Sequence, residues 1–119
     1  MQVKIANKEY TLHFGWEFLK EVNKKFGVTI EQGGQEINTR QGGLAFMNAG
    51  LESYDPVTVI EVVKAATNTE LQKPATVNIQ EAVEEKLLSG SKEYKAFVDE
   101  LKESIKKEPK LKALNELNI

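Results

Sequence analysis

Apolar and polar residues alternate at the start of the chain. Val3 and Ile5 share one side of an extended run; after Ala6-Asn7-Lys8, residues Tyr10, Leu12 and Phe14 share one face. A period of two places alternate side chains on one face of a strand, so the pattern predicts a hairpin. Beyond Gly15 the period changes. Leu19, Val22 and Phe26 fall on one helical stripe with Phe18 beside it, and Gly27 stands where a left-handed residue would close the helix. Two strands alone are marginal in water, so this helix is expected to fold back over the apolar face of the hairpin. The rest of the chain is expected to be organised around this opening unit.

The middle of the chain is less regular. Val28-Thr29-Ile30 is a short β-branched run, readable as a third strand or as an extended packing segment. Glu31 to Asn38 is polar, carries Gly33-Gly34 and reads as a mobile loop. Thr39 is a candidate N-cap for a helix within about Arg40 to Ser53, where Leu44, Met47 and Leu51 make a stripe and Phe46 lies beside it. Gly42, Gly43 and Gly50 count against that helix, at about 1 kcal/mol for each interior position. Asp55-Pro56 is a stronger start signal: an acceptor at the N-cap and a proline at the first helical position. Val59, Ile60, Val63 and Ala66 then line one face. The run Val57 to Val63 is rich in β-branched residues, but Glu61 and Lys64 interrupt any long alternation, and a helix is predicted.

Thr67 to Thr76, with Lys73-Pro74, reads as a linker. Asn78 with Glu81 three residues on is a capping-box pattern for a helix bearing Ile79, Ala82, Val83 and Leu87 and ending at Gly90. Ser91 caps the cleanest helix of all: Tyr94, Phe97, Val98, Leu101 and Ile105 share one face and charges fill the other. Pro109 stops it. Leu111, Leu114 and Leu117 mark a short terminal helix or a loosely held tail. The prediction is an α+β, mainly helical fold, with an N-terminal β-hairpin packed on a bundle of four to five helices. One domain is expected over 1–119: a hairpin plus helical core at 1–67, and C-terminal helices at 77–119 that are free to move.

Composition narrows the function more by exclusion. The chain has 119 residues, near the usual size of one domain, and a formal net charge of −2. A sequence-independent nucleic-acid binder needs a basic excess to neutralise phosphates, so no nucleic-acid partner is expected. There is no cysteine and a single histidine, His13, which rules out thiolate metal sites, disulfides and any typical zinc set. No apolar run approaches the ~20 residues that span a bilayer, and Met1-Gln2-Val3-Lys4 lacks a signal-peptide pattern. A soluble, intracellular protein without a membrane partner is expected.

A catalytic set is not found. His13 lies on the strand face opposite Leu12 and reads as a surface residue. Gly33-Gly34 and Gly42-Gly43 lack the Gly-Lys-Ser/Thr of a phosphate loop. The carboxylates at Glu81, Glu84, Glu85, Glu100 and Glu103 are interspersed with lysines, and read as solvated helix faces with pairs such as Lys95 with Asp99 and Glu103 with Lys107. Lys106, Lys107, Lys110 and Lys112 form a basic patch; such cations suit a helix C-terminus and would also suit an acidic partner. No catalytic, cofactor or metal site is predicted. The candidate partner-binding residues are Trp16, Tyr94, Phe97, Leu101, Leu111, Leu114 and Leu117. Trp16 and the Tyr94-Phe97-Leu101 stripe are read first as core or boundary residues. Leu111, Leu114 and Leu117 are the most suggestive strip, because little chain remains to cover them.

Two blocks of residues carry a family resemblance. The first is Val3-x-Ile5-x-Asn7-Lys8-x-Tyr10-x-Leu12-x-Phe14-Gly15, followed by a Lys-rich helix ending in Asn23-Lys24-Lys25-Phe26-Gly27-Val28. The second is Gly50-Leu51-x-x-Tyr54-Asp55-Pro56-Val57-Thr58-Val59-Ile60-Glu61 through Thr67. Together they resemble the tail assembly chaperones of long-tailed phages and prophages of Gram-positive bacteria, over roughly the first two thirds of the chain. Similar proteins often carry Asn-Gly at the hairpin turn; here the pair is Asn7-Lys8, and lysine tolerates positive φ less well. The resemblance implies a non-enzymatic assembly factor in the bacterial host cytoplasm. Its partners would be the tape-measure protein and the major tail protein, with self-association as a further expectation. Such a factor is absent from the mature virion. The resemblance also implies a longer product made by ribosomal frameshifting, with Pro109 to Ile119 near the junction. The alternatives are a minor structural tail protein (a tail-tube or completion subunit), then a small hydrolase using the Glu81 to Glu85 carboxylates, and last a nucleic-acid regulator.

Overall fold

The first hairpin turns one residue earlier than the sequence reading placed it. In the computed structural model, which describes residues 1–39 and 41–117, β1 (Gln2–Ile5) pairs antiparallel with β2 (Lys8–Thr11), Val3 opposite Tyr10 and Ile5 opposite Lys8. The turn residues are Ala6 and Asn7, with φ of 50° and 65°, the two positive values of a type I′ turn. Lys8 is already in the strand. Val3 and Ile5 are buried, while Gln2 and Lys4 are exposed.

Helix α1 (Trp16–Phe26) buries Phe18 and Val22 and leaves Leu19 and Phe26 half-buried. Its inward face is therefore turned toward Phe18, whose ring meets Phe14 edge-on at 5.1 Å. Gly27 has φ −60° and ψ 152°, so α1 ends by straightening rather than by a left-handed glycine. Nor is α1 the main cover of the hairpin. β1 packs on a later helix, α4 (Thr76–Leu88), while α1 packs on α2 (Gly43–Glu52) and α3 (Pro56–Ala66).

The segment expected to be a mobile loop is most of a second hairpin, whose first strand starts in the Val28-Thr29-Ile30 run readable as a third strand. β3 (Thr29–Gln32) pairs with β4 (Gln35–Asn38), Ile30 opposite Ile37, across Gly33 and Gly34 at φ 61° and 81°. Gly-Gly is a turn residue pair as well as a flexible one; here it makes the turn. Thr39 does not cap a helix. Its amide and hydroxyl both donate to the Val28 carbonyl, at 2.9 and 2.7 Å, and close the base of this hairpin. Helix α2 (Gly43–Glu52) starts after Gly42, in the left-handed region at φ 76°. Arg40, where the sequence reading began that helix, lies outside the described residues.

Helix α3 (Pro56–Ala66) forms as predicted despite its β-branched run. The Asp55 carboxylate accepts from the amides of Val57 and Thr58 and, at 2.8 Å, from the Thr58 hydroxyl. Thr58, Val59, Val62, Val63, Ala65 and Ala66 are all buried, so α3 is covered on most sides, with α1, α2 and α4 against it. It, rather than the opening block, is the centre of the molecule. Helix α4 (Thr76–Leu88) begins before Asn78, with no side-chain cap, and α5 (Ser91–Lys106) likewise begins after Gly90 without one. Helix α6 (Pro109–Leu117) follows; Asn118 and Ile119 lie outside the described residues. Among the described residues the fold is thus α+β and mainly helical, with six helices and two separate hairpins, rather than one hairpin on four to five helices.

Candidate functional site

The seven candidate binding residues separate by burial. Tyr94, Leu101 and Leu111 belong to the core, with Leu101 and Leu111 at 0% exposure. The stripe of α5 does not project: it packs against α4 and α6, and the Tyr94 hydroxyl donates to the Tyr54 carbonyl at 2.7 Å. These three side chains are not available on the folded chain. Phe97 and Leu114 are half-buried, and Lys86 Nζ lies 5.6 Å from the Phe97 ring. Trp16 and Leu117 are exposed, at 63% and 78%. Trp16 falls on the α1 face away from Phe18 and Val22, which explains its exposure.

Helix α6 brings three of the seven to one side of the molecule. Leu111 anchors it in the core, Lys110 Nζ sits 5.7 Å from the Trp16 ring, and Leu114 faces α1 and α2. A depression of about 370 Å³ is lined there by Leu19, Asn23, Leu44, Ala45 and Leu114. Ala45 also lines a second depression of about 370 Å³, with Asn48, Leu51, Lys102, Ile105 and Asn115. The Asn48 amide donates to Asn115 Oδ1 across it at 2.9 Å. Lys106 and Asn115 continue into a third, of about 550 Å³, where Lys107, Lys112, Glu103 and Glu116 stand. The three depressions adjoin one another around α6: the one beside α1 is mainly apolar, and the one beyond the end of α5 is lined by charged side chains and Asn115.

With this geometry in place, comparison with known families is decisive. A family model described as "Phage tail assembly chaperone protein, TAC" matches residues 2–116. The chain belongs to the phage tail assembly chaperone family. No curated protein and no solved structure matches it. In this tail assembly chaperone the match runs from β1 into the last turn of α6, beyond the first two thirds on which the sequence resemblance rested. The depressions around α6 are lined entirely by residues inside the matched span.

One wall of the depression between α2 and α5, at Glu52 and Lys102, belongs to a cluster that the sequence did not disclose. Tyr54, at φ 57°, donates its hydroxyl to Asp99 Oδ1 at 2.7 Å. Its ring lies 5.1 Å from Lys102 Nζ and 5.9 Å from Lys95 Nζ. Lys102 reaches Glu52 at 3.2 Å and Asp99 at 3.7 Å. The hydrogen bond to Asp99 raises the Tyr54 pKa above its usual value, helped by burial and by the Asp99 charge. Burial works against the Lys102 charge, but Glu52, Tyr54 and Asp99 together raise its pKa overall. These contacts join the α2–α3 turn to α5. They replace the expected Lys95–Asp99 pair; likewise Lys106, not Lys107, approaches Glu103, at 3.8 Å.

Other candidates remain dispersed. His13 Nε2 lies 3.3 Å from Glu70 Oε1 at the surface, and Glu81, Glu84 and Glu85 are exposed on α4. Among the described residues, no three His, Cys, Asp or Glu side chains are grouped to hold a metal ion. No described helix is long and apolar enough to cross a membrane. Sequence reasoning missed several exposed apolar residues, including Ile30, Ile37, Phe46, Val57, Leu71 and Leu88. Single exposed apolar side chains are ordinary, and only the neighbours that folding supplies distinguish Leu114, beside a groove, from Leu71.

Proposed function

We propose that this chain binds the tape-measure protein while the tail of a long-tailed phage of Gram-positive bacteria is built. It keeps the apolar helices of that protein from aggregating and assists recruitment of tail-tube subunits such as the major tail protein. It does so in the host cytoplasm, by binding alone and without an enzymatic step, and leaves before the virion is complete. The observation that carries this reading is the family match over residues 2–116. A helical surface with exposed Trp16 and Leu117 beside a groove is consistent with it, since amphipathic helices dock in grooves through apolar anchors. Many modest contacts along one long client would add by multivalency.

Co-expression tests the proposal directly. The tape-measure protein should be insoluble alone, soluble with this chain, and retained with it on purification. Failure of this chain to bind any part of a tape-measure protein would end the proposal. Mass spectrometry of purified particles should not find the chain; stoichiometric amounts there would mark it as a structural tail subunit instead.

A further inference from the structure

We propose that α6 is a displaceable occupant of its own seat: it lifts away, and one apolar helix of the client lies down in its place, with two apolar side chains where Leu111 and Leu114 had been. The inference rests on the chaperone reading above and adds which surface the client takes and what must move first.

Three observations carry it. First, α6 is the least secured helix among the described residues. It has one buried side chain, Leu111, where each of the other five helices has two or more. It is further tied by half-buried Leu114, by the Asn48–Asn115 hydrogen bond at 2.9 Å and by Lys110 Nζ, 5.7 Å from the Trp16 ring. Nine residues long, it is shorter than the ~12–15 that a helix needs to persist alone in water, so once off its seat it gains chain entropy by unwinding. Segments with few buried apolar contacts are the first to open. Second, α6 covers one trough. The depressions on its two flanks, of about 370 Å³ each, share Ala45. What divides them is α6 itself, with the Asn48–Asn115 bond. With α6 lifted they join over an apolar floor of Leu19, Leu44, Ala45, Leu51 and Ile105, together with the place that Leu111 vacates. Third, α6 fills this trough incompletely, since both depressions stay open beside it. A helix with the same leucine spacing and bulkier apolar side chains on its flanks would bury more surface and make contacts that α6 leaves unmade. The α6 of a second copy would leave the same gaps, so a different helix is favoured. Its chemistry is read from α6: apolar side chains at i and i+3, as Leu111 and Leu114, and a polar one at i+4, where Asn115 meets Asn48. Without a client, α6 keeps the apolar floor from water.

The test uses the full chain and overlapping fragments of the tape-measure protein of the same phage, with binding measured by titration. The chain has no cysteine, so Asn48→Cys with Asn115→Cys, bridged by a short reducible bis-methanethiosulfonate reagent, fastens α6 to α2 where the two side chains now meet. The bridged chain should keep the wild-type far-ultraviolet circular dichroism and bind at least about tenfold more weakly, the size expected for losing a central anchor. Reduction should restore the affinity. Asn115→Ala loosens α6 and should bind about three- to tenfold more tightly, the gain in open population from losing one hydrogen bond. In the wild-type complex the amides of Lys112 to Leu117 should exchange faster than in the free chain. Aspartate at the two apolar positions of a bound fragment should release it. If the bridged chain binds fragments as well as wild type does and the α6 amides keep their protection, α6 does not move and the inference falls, while the chaperone reading stands. If bridging instead abolishes a dimer seen by sedimentation and spares fragment binding, the seat takes the α6 of a second copy and the inference is equally overturned. If wild-type chain binds no fragment, the chaperone reading fails and this inference with it.

Discussion

Gly43 shows how a single position can be misjudged without its neighbours in space. In sequence it weakens a helix. In the structure a Cβ built on it would lie 2.5 Å from the Val22 carbonyl oxygen and 2.8 Å from the Asn23 Cα, and its amide donates to Asn23 Oδ1 at 2.9 Å. The obstacle is backbone, so no rotamer change relieves it and α1 and α2 must separate. Alanine would gain at most about 1 kcal/mol of helix propensity; forcing two packed helices apart costs about 1–3 kcal/mol. Gly43→Ala is therefore expected to destabilise the protein by about 1–2 kcal/mol, read from urea denaturation, with its slope unchanged. Gly50 makes a close approach as well, but to the side chain of Thr58 rather than to backbone. Residue-scale signals were legible where they act locally: Asp55 as an N-cap is an interaction within one turn. They were not legible where the partner is distant in sequence, as with Tyr54 and Asp99, or where folding rotates a helix so that Phe18 faces in and Trp16 faces out.

Among the elements, α3 and the second hairpin set composition against structure in opposite directions, although the sequence predicts α3 as a helix and does not predict the hairpin. α3 has strand-like composition, yet its cap, its first-turn proline and burial on most sides hold it helical; tertiary packing outweighs the few tenths of a kcal/mol per residue that β-branching costs. The second hairpin has almost no apolar signal, since β3 and β4 are exposed along their whole length. Its order comes from Gly33-Gly34, the ladder, and closure at the base, where Val28 donates to Gln41 at 2.8 Å and Thr39 to Val28. Glu31 and Glu36 stand directly opposite one another, an arrangement that disfavours the ladder. A two-stranded sheet without a covered face opens readily. Amide hydrogens of β3 and β4 should therefore exchange much faster than those of Val3 and Tyr10 in the first hairpin, whose β1 is packed on α4. Equal protection in the two hairpins would contradict this account. With the faster exchange expected here, the mobility that the sequence attached to a loop belongs to a hairpin.

At the scale of the whole molecule the question is whether 1–67 and 77–119 fold separately. The apolar cluster crosses the proposed break: Val3, Ile5, Val63, Ile79, Val83 and Leu101 belong to it together. Val3 and Ile5 face α4 across a narrow gap lined by Ile79 and Val83. The connecting segment is itself tied back, with Lys8 donating to Gln72 at 3.3 Å and His13 beside Glu70. Removing the C-terminal helices would uncover Val3, Ile5 and one side of α3, apolar surface worth about 25 cal/mol for each Å² returned to water. In a protein whose net stability is only about 5–15 kcal/mol, neither part would survive that loss alone. We therefore propose one cooperative unit and expect calorimetry to show a single transition, with equal calorimetric and van't Hoff enthalpies. The total should be about 80 kcal/mol near 60 °C for this length. A chain cut after Thr67 should be unfolded. Two resolved transitions, or a folded 1–67 fragment, would instead make the C-terminal helices a separate unit and leave α6 free to move with them.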